Sequence, residues 1–421
     1  MMPKRNRTAV RLSVIVVCAL RAHLASAGDW AQYGGDAYHS GRSTASFEPL
    51  DLKKSWQSPN GYADPRIVGE SVIATKYVQS GPDHGFAVTS FRLSDGVVNW
   101  THFLPSVFPA AVASADGLVV YTNASPTDPQ NGISLYVRDL RTGDLKYTVE
   151  NVGGRVPTLA HDADGSLVAY CGTSAVRLDE QSGHVLWSVY GLETGGLAVP
   201  TVVGNSIVVA GLRGCFAIDR QTGAVNTFSS RLGSPSGETA TYDPHNQRVY
   251  CINGNALSAF KYDANDQLTL LWEKSAYNGS MFPRSPVVGP NGAIYSVGML
   301  DGYTGLLSER DPDTGEILRS VTGDFSNSFT PMIQDHYLWA ETSHGLNIYD
   351  LNTLHLIGSM PETPLDYDCF FPAAFDETHT IIGEYSGPGY IQNFQVFEVP
   401  EPGAALLAVA FTMIIMRRRR N

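Results

Sequence analysis

The chain has 421 residues, of which 43% are hydrophobic and 17% charged, with 29 Lys and Arg against 41 Asp and Glu. Its first 27 residues hold five basic and no acidic side chains and its last 23 hold four basic and one acidic, which leaves 20 basic and 40 acidic groups, a formal charge of −20, on residues 28–398. That field repels polyanions, and without a Lys/Arg run it excludes nucleic acid and anionic lipid surfaces as expected partners, while 371 residues suffice for a large buried core.

At the N-terminus Lys4, Arg5, Arg7 and Arg11 precede an apolar run from Leu12 to Leu20, and Ala25-Ser26-Ala27 supplies small residues in the A-x-A pattern of a cleavage site. Charge, apolar run and small residues in this order predict a secretory signal peptide over residues 1–27, with Ala25 and Ala27 marking its cleavage site. The mature body is then expected to span 28–398 and to lie outside the cytoplasm.

Within the body a strand-like segment, Leu50 to Ser58, stands alone and is followed by a repeat. Each unit opens with a proline or its equivalent and an alternating strand: Pro65, Pro109, Pro157, Pro200, Ala240, Pro286, Pro331 and Pro372. Successive prolines lie 44, 48 and 43 residues apart, then 86 across the slot at Ala240, then 45 and 41, the period of a four-stranded propeller blade. Tight turns follow at Asp95-Gly96, Gly143, Gly183, Gly223, Asn265-Asp266, Gly315 and Asn352-Thr353, residue types that accept the positive φ of a hairpin between third and fourth strands. The last unit ends at a third strand, "YIQNFQVFEV", so the N-terminal strand is expected to complete it. The reading is an all-β protein, a β-propeller of eight four-stranded blades closed by its own N-terminal strand, which removes two exposed sheet edges. Seven blades is the alternative, with the unit around Ala240 an insertion.

The hairpin pattern Asp-x-x-Thr/Ser-Gly-x-x-x-Trp, seen at Asp179 to Trp187 and in part at Asp139 to Tyr147 and Asp219 to Phe228, is similar to the blades of pyrroloquinoline-quinone-like (PQQ-like) propellers. The start "DWAQYGGDAYHSGRS", with Trp30, Gly34-Gly35, Asp36 and His39, resembles the segment that precedes the first blade in bacterial members. This resemblance implies one of two functions, a quinoprotein dehydrogenase or a cofactor-free scaffold. The enzymes of the family carry a calcium-bound quinone, an Asp base and commonly a vicinal Cys-Cys disulfide. No Cys-Cys occurs here, and the body lacks long insertions to roof a cofactor. No cofactor and no catalytic residue is expected; PQQ with calcium belongs to the alternative, a periplasmic quinoprotein-type oxidoreductase.

Other chemical signals have plain structural explanations. His161-Asp162-Ala163-Asp164-Gly165 and Asp311-Pro312-Asp313-Thr314-Gly315 begin like calcium loops but fall where the repeat needs hairpin turns, and neither has the spaced glutamate of an EF-hand. The histidines form no H-x-x-x-H or H-E-x-x-H pair, and Cys171, Cys215, Cys251 and Cys369 read as isolated small buried hydrophobes. Trp100, Trp187, Trp272 and Trp339 read as blade-packing residues. Loops entering the innermost strands line one mouth of the channel, where Arg155, Glu238 and Arg284 cluster on nearby blades. They are either an ion-pair network tying blades together or a site for a small polar ligand or a partner's side chain.

Residues 399–421 end the chain with Pro400-Glu401-Pro402, an apolar run from Gly403 to Met416, and Arg417, Arg418, Arg419 and Arg420. The run has 14 residues, roughly 21 Å as a helix and short of the ~30 Å hydrocarbon core, and the arginines resist translocation. These three ordered features resemble the PEP-CTERM sorting signal of exported bacterial proteins. That resemblance implies an exosortase-type processing enzyme as partner, membrane contact through the tail before processing, and a cell-surface or extracellular-matrix destination. A plain C-terminal membrane anchor is the alternative. Together these readings predict an exported, non-enzymatic binding scaffold for protein or polysaccharide.

Overall fold

The computed structural model describes residues 36–399, apart from short intervals of which those of four residues or more are 105–110, 125–132, 154–157, 193–198, 230–238, 276–284, 326–329, 361–368 and 387–390. Residues 1–27, read above as a signal peptide, and the sorting-signal stretch from Pro400 onward lie outside the described residues. Seven antiparallel runs of four consecutive strands follow one another along the chain, an eighth sheet joins an N-terminal strand to the last three, and together they form the eight blades of a propeller. Blade 1 comprises Tyr62–Val68, Ser71–Ser80, Asp83–Arg92 and Val98–Leu104. Blades 2 to 7 open with the innermost strands Ala111–Ala113, Thr158–Asp162, Thr201–Val203, Thr241–Asp243, Val287–Val288 and Met332–Gln334. The unit after Ala240 is thus a full blade, and the seven-blade alternative fails.

Blade 8 is built from both ends of the body. Cys369–Phe375, His379–Ser386 and Ile391–Glu398 supply three strands, and Lys53–Gln57 pairs antiparallel with the last of them as the fourth, Lys53 opposite Glu398 and Gln57 opposite Gln395. The expected closure by Leu50 to Ser58 is therefore present, with Ser58 N bonded to Phe394 O at 2.9 Å just beyond the strand.

Strand alternation explains how the blades pack. On the second strand of blade 2, Leu118 and Val120 join the cluster shared with blade 3, whereas Val119 and Tyr121 join that shared with blade 1. A period of two sends neighbouring residues to opposite faces, so every blade is apolar on both sides and needs a neighbour on each. Burial falls from the axis outward: Thr201–Val203 is buried at each residue, while the fourth strand of blade 6, Ile317–Gly323, has no buried residue.

The hairpin pattern has a local cause and a long-range use. The carboxylates of Asp139, Asp179, Asp219, Asp311 and Asp350 each accept the backbone N–H three residues on, at distances from 2.6 to 2.9 Å. The following glycine then turns at positive φ: 76° at Gly143, 73° at Gly183, 75° at Gly223 and 72° at Gly315. Over each such glycine lies an aromatic ring from the fourth strand of the preceding blade, so close that a Cβ would meet it at under 3 Å. Trp56 covers Gly96, Trp100 covers Gly143, Tyr147 covers Gly183, Trp187 covers Gly223 and Trp272 covers Gly315. The indole N–H of Trp56, Trp100, Trp187 and Trp272 donates to Leu93 O, Leu140 O, Arg220 O and Pro312 O at 2.6, 2.8, 2.9 and 2.9 Å, and the Tyr147 hydroxyl donates to Glu180 O. Five of the eight junctions are thus fastened by an aromatic ring with a polar handle. Trp339 instead lies fully buried on the second strand of blade 7, its ring 5.3 Å from that of Phe375 in blade 8.

The other three junctions depart from the pattern. Between blades 6 and 7 the docking position is Arg319, whose guanidinium binds Glu309 and donates to Asn352 O, and the turn glycine is replaced by Leu354 at φ 55°. Between blades 7 and 8 the position is Gly358, under which Leu50 packs; a Cβ there would meet Leu50 Cδ2 at 2.7 Å. Between blades 4 and 5 the sequence has Thr227, and Tyr262 of blade 5 reaches the other way, accepting from Asn205 N at 3.1 Å.

Candidate functional site

Arg155, Glu238 and Arg284, placed by the sequence at the channel mouth, lie outside the described residues. Their chain neighbours show what that mouth is made of. Ser285 Oγ donates to Thr239 O at 2.6 Å, Thr201 Oγ1 to Ala240 O at 2.8 Å and Thr241 Oγ1 to Pro286 O at 2.6 Å. Short hydroxyl side chains thereby link the inner strands of blades 4, 5 and 6, each by donating to a backbone carbonyl of a neighbouring unit.

A short stretch of the chain crosses the inner edges of the blades. His39 is 2% exposed, and its Nε2 lies 2.9 Å from Pro200 O in blade 4; since a carbonyl only accepts, the ring proton sits on Nε2. Two residues on, Gly41 O accepts from Ile333 N of blade 7 at 2.8 Å, and Ser40 O takes Val288 N of blade 6 at 3.4 Å. Arg42–Ser43 then pairs parallel to Met332–Gln334 as a fifth strand on the inner edge of blade 7. Blades 4 and 7 stand three places apart in a ring of eight, so residues 39–43 cross the channel on a chord that passes blades 5 and 6. Asp36 prepares the crossing by accepting Ser40 N at 3.0 Å and Ser40 Oγ at 2.6 Å. Gly41, at φ 67°, passes so close to blade 6 that a Cβ would lie 2.2 Å from Val287 Cγ1.

From there the segment runs outward over blade 7. Gln334 Nε2 donates to Ala45 O and Phe47 O at 3.0 and 3.1 Å, Ala45 and Phe47 enter the core shared by blades 7, 8 and 1, and Tyr337 Oη donates to Glu48 Oε2 at 2.5 Å. Burial, and then that bond to a carboxylate, push the Tyr337 hydroxyl well above its ordinary range. The N-terminal stretch therefore both crosses the inner edges of the blades and supplies the outer strand of blade 8.

An ion network does tie two blades together, with residues other than those the sequence suggested. Arg220 of blade 4 grips Asp162 of blade 3 through two bonds of 2.6 Å and lies 3.0 Å from Asp164. Arg177, 3% exposed, donates to Ser166 Oγ at 2.9 Å, to Asp164 and to Arg220 O. Burial raises the Asp162 carboxyl against the pull of Arg220. For Asp164 burial is outweighed by the Ser166 hydrogen bonds and the two guanidinium groups, and its carboxyl is held low. The calcium-loop-like stretch His161 to Gly165 is thus a hairpin turn whose carboxylates face arginines. Asp311 likewise caps its own turn, and Asp313 accepts from Arg248.

The departure from aromatic docking between blades 6 and 7 leaves an open groove of about 770 Å³, walled by Gly323, Asp324, Phe325, Asn347, Tyr349 and His355 among others. Phe325 and Tyr349 are buried, so the polar edge of the groove is Asp324, Asn347 and His355. Among the described residues no group of three or more His, Cys, Asp or Glu side chains could hold a metal ion.

No protein-family model matches the sequence, and comparison with curated proteins found no match. The fold is similar to that of solved structures. BamB from Moraxella catarrhalis aligns with TM-score 0.57 and 15% identity over 82% of this chain and 99% of its own. Quinohemoprotein alcohol dehydrogenase ADHIIG from Pseudomonas putida HK5 aligns with TM-score 0.54 and 12% identity over 89% of this chain and 80% of its own. The computationally designed Ika8 protein aligns with TM-score 0.51 and 12% identity, covering 81% and 98%. At these identities the likeness is one of fold.

Proposed function

We propose that this chain is an exported binding scaffold of the cell surface or extracellular matrix, presenting a rigid acidic propeller to protein or polysaccharide, with no cofactor of its own. The observation that carries the reading is the N-terminal stretch laid across the inner edges of blades 4, 6 and 7. A ligand held at the centre of the ring would have to displace residues 39–43, whose backbone and side chains bond to blades 4, 6 and 7. What remains for a partner is the outer surface of a body with a formal charge of −20. The PEP-CTERM-like tail supplies the proposed route, with Pro400-Glu401-Pro402 cut by an exosortase-type enzyme and the cluster Arg417 to Arg420 left behind.

A biosensor test uses the purified mature protein against matrix polysaccharide and, separately, surface proteins from the producing cells. Saturable binding to one of them, weakened by salt if basic groups meet the acidic surface, is expected. Absence of saturable binding to either would count against the scaffold reading. An oxidoreductase reading draws only on the fold likeness to the alcohol dehydrogenase, and no residue described here supports it further.

A further inference from the structure

The junction between blades 4 and 5, which has no docking aromatic from blade 4, holds the two cysteines that come together. Cys215 lies on the third strand of blade 4, Gly214–Asp219, and Cys251 on the second strand of blade 5, Arg248–Asn253. Their sulfurs are 3.0 Å apart, 36 positions separate them in sequence, and both are buried in one apolar cluster with Val208, Ala210, Tyr242 and Phe260. Strand pairing holds Cys215 from both sides, opposite Ala210 and Ser229, and holds Cys251 opposite Ser258. A disulfide needs the sulfurs at about 2.05 Å, so roughly 1 Å of side-chain movement separates this contact from a bond.

We propose that Cys215 and Cys251 are joined as a disulfide that cross-links blades 4 and 5 in the exported protein. The oxidant is a disulfide-bearing thiol oxidoreductase or a small disulfide of the exterior. One cysteine thiolate attacks the oxidant's disulfide and releases one of its thiols; the second thiolate then attacks the mixed disulfide and releases the other. Two S–H bonds are lost and one S–S bond forms, while the oxidant gains two electrons and two protons as two thiols. Cys171 is no competitor, since its sulfur is buried in blade 3 and points to Val152 O at 3.7 Å.

The same burial dictates when the bond forms. Hydrogen bonding between the two thiols and their removal from water hold Cys251 well above its ordinary range, so in the closed ring it is neither a ready thiolate nor reachable. Exchange therefore takes place before blades 4 and 5 dock, and the finished bond is sheltered from reductants. At a junction without the indole latch, the covalent tie does what Trp187 and Trp272 do at the junctions on either side.

The test does not depend on where the protein is exported to, so its failure is separable from failure of the scaffold reading. Reduced, denatured protein is refolded in a buffer of oxidised and reduced glutathione, quenched in acid, alkylated under denaturing conditions and mapped by non-reducing peptide mass spectrometry. The expected product is a peptide pair linked through Cys215 and Cys251, also formed by Cys171→Ala and lost in Cys251→Ala. Oxidised wild type should melt higher than its reduced form, with no such difference for Cys251→Ala. Complete alkylation of both cysteines in refolded wild type, or linkage of either to Cys171 or Cys369, overturns the proposal.

Discussion

The aromatic latch between blades 3 and 4 can be taken apart by a double-mutant cycle on Trp187 and Gly223. Trp187 is 7% exposed and packs with Tyr170, Ile207, Val209 and Ile218, so truncation to alanine is expected to cost about 3–5 kcal/mol. Arg220 O would keep a partner in Arg177, so no stranded acceptor adds to that figure. Gly223→Ala sets a Cβ at φ 75°, a backbone cost of about 1–2 kcal/mol, and drives it to 2.9 Å from the Trp187 ring, adding about 1–3 kcal/mol of overpacking. With Trp187 already alanine only the backbone cost remains. The two changes should therefore couple by about 1–3 kcal/mol, the double mutant being more stable than the sum of singles implies. Urea unfolding of the four proteins, followed by tryptophan-independent far-UV circular dichroism, measures this. Additivity within about 0.5 kcal/mol would refute the latch as the reason for glycine at this position.

Removing residues 28–58 should unravel more than an end, because it strips the fourth strand of blade 8 and the inner-edge crossing together; an unchanged cooperative melting transition would contradict ring closure. Arg177→Ala leaves Asp162 and Asp164 to Arg220 alone and is expected to cost about 3–5 kcal/mol, read as a shift in urea midpoint. The five turn aspartates are held below their ordinary range, Asp179, Asp219 and Asp350 chiefly by the Ser or Thr hydroxyl and Asp139 and Asp311 chiefly by the backbone N–H of the turn. A lowered folded pKa stabilises above the unfolded value, near 4, and that contribution is lost as pH falls through the folded values. Stability should thus decline below about pH 4, less steeply after Asp311→Asn; a pH-independent midpoint from pH 5 to 2.5 would contradict this. At the tail, Glu401→Ala should leave the protein membrane-bound and ending at Asn421, whereas the wild type should lose its four arginines, as judged by mass spectrometry of the C-terminus.

How far the sequence could be read follows from how local each feature is. Asp-x-x-Thr/Ser-Gly makes its own turn, since the carboxylate and the positive φ sit within five residues, and it was legible wherever it occurs. The strand at Lys53–Gln57 was legible by subtraction, because the last unit lacked a fourth strand. The docking tryptophans were legible as packing residues, Trp56 excepted, but their acceptors lie on the next blade and carry no pattern. Arg42–Ser43 is two residues long, too short for any periodicity to show, and His39 meets Pro200 across 161 positions, so the crossing itself had no pattern, although Asp36 and His39 stood out in the segment that resembles a lead-in to the first blade. The network of Arg177 and Arg220 with Asp162 and Asp164 is equally nonlocal, although Asp162 and Asp164 had stood out as a calcium-loop look-alike. Cys215 and Cys251 had looked isolated because only the stacking of blades brings them together.

The scaffold account turns on whether the ring holds a quinone. Mature protein is equilibrated with pyrroloquinoline quinone and calcium, passed over a desalting column and scanned for absorbance. With residues 39–43 across the inner edges of the blades, the account predicts protein eluting free of chromophore, in wild type and in an excess of calcium alike. A chromophore bound in one-to-one proportion would contradict it and make the chain a quinoprotein.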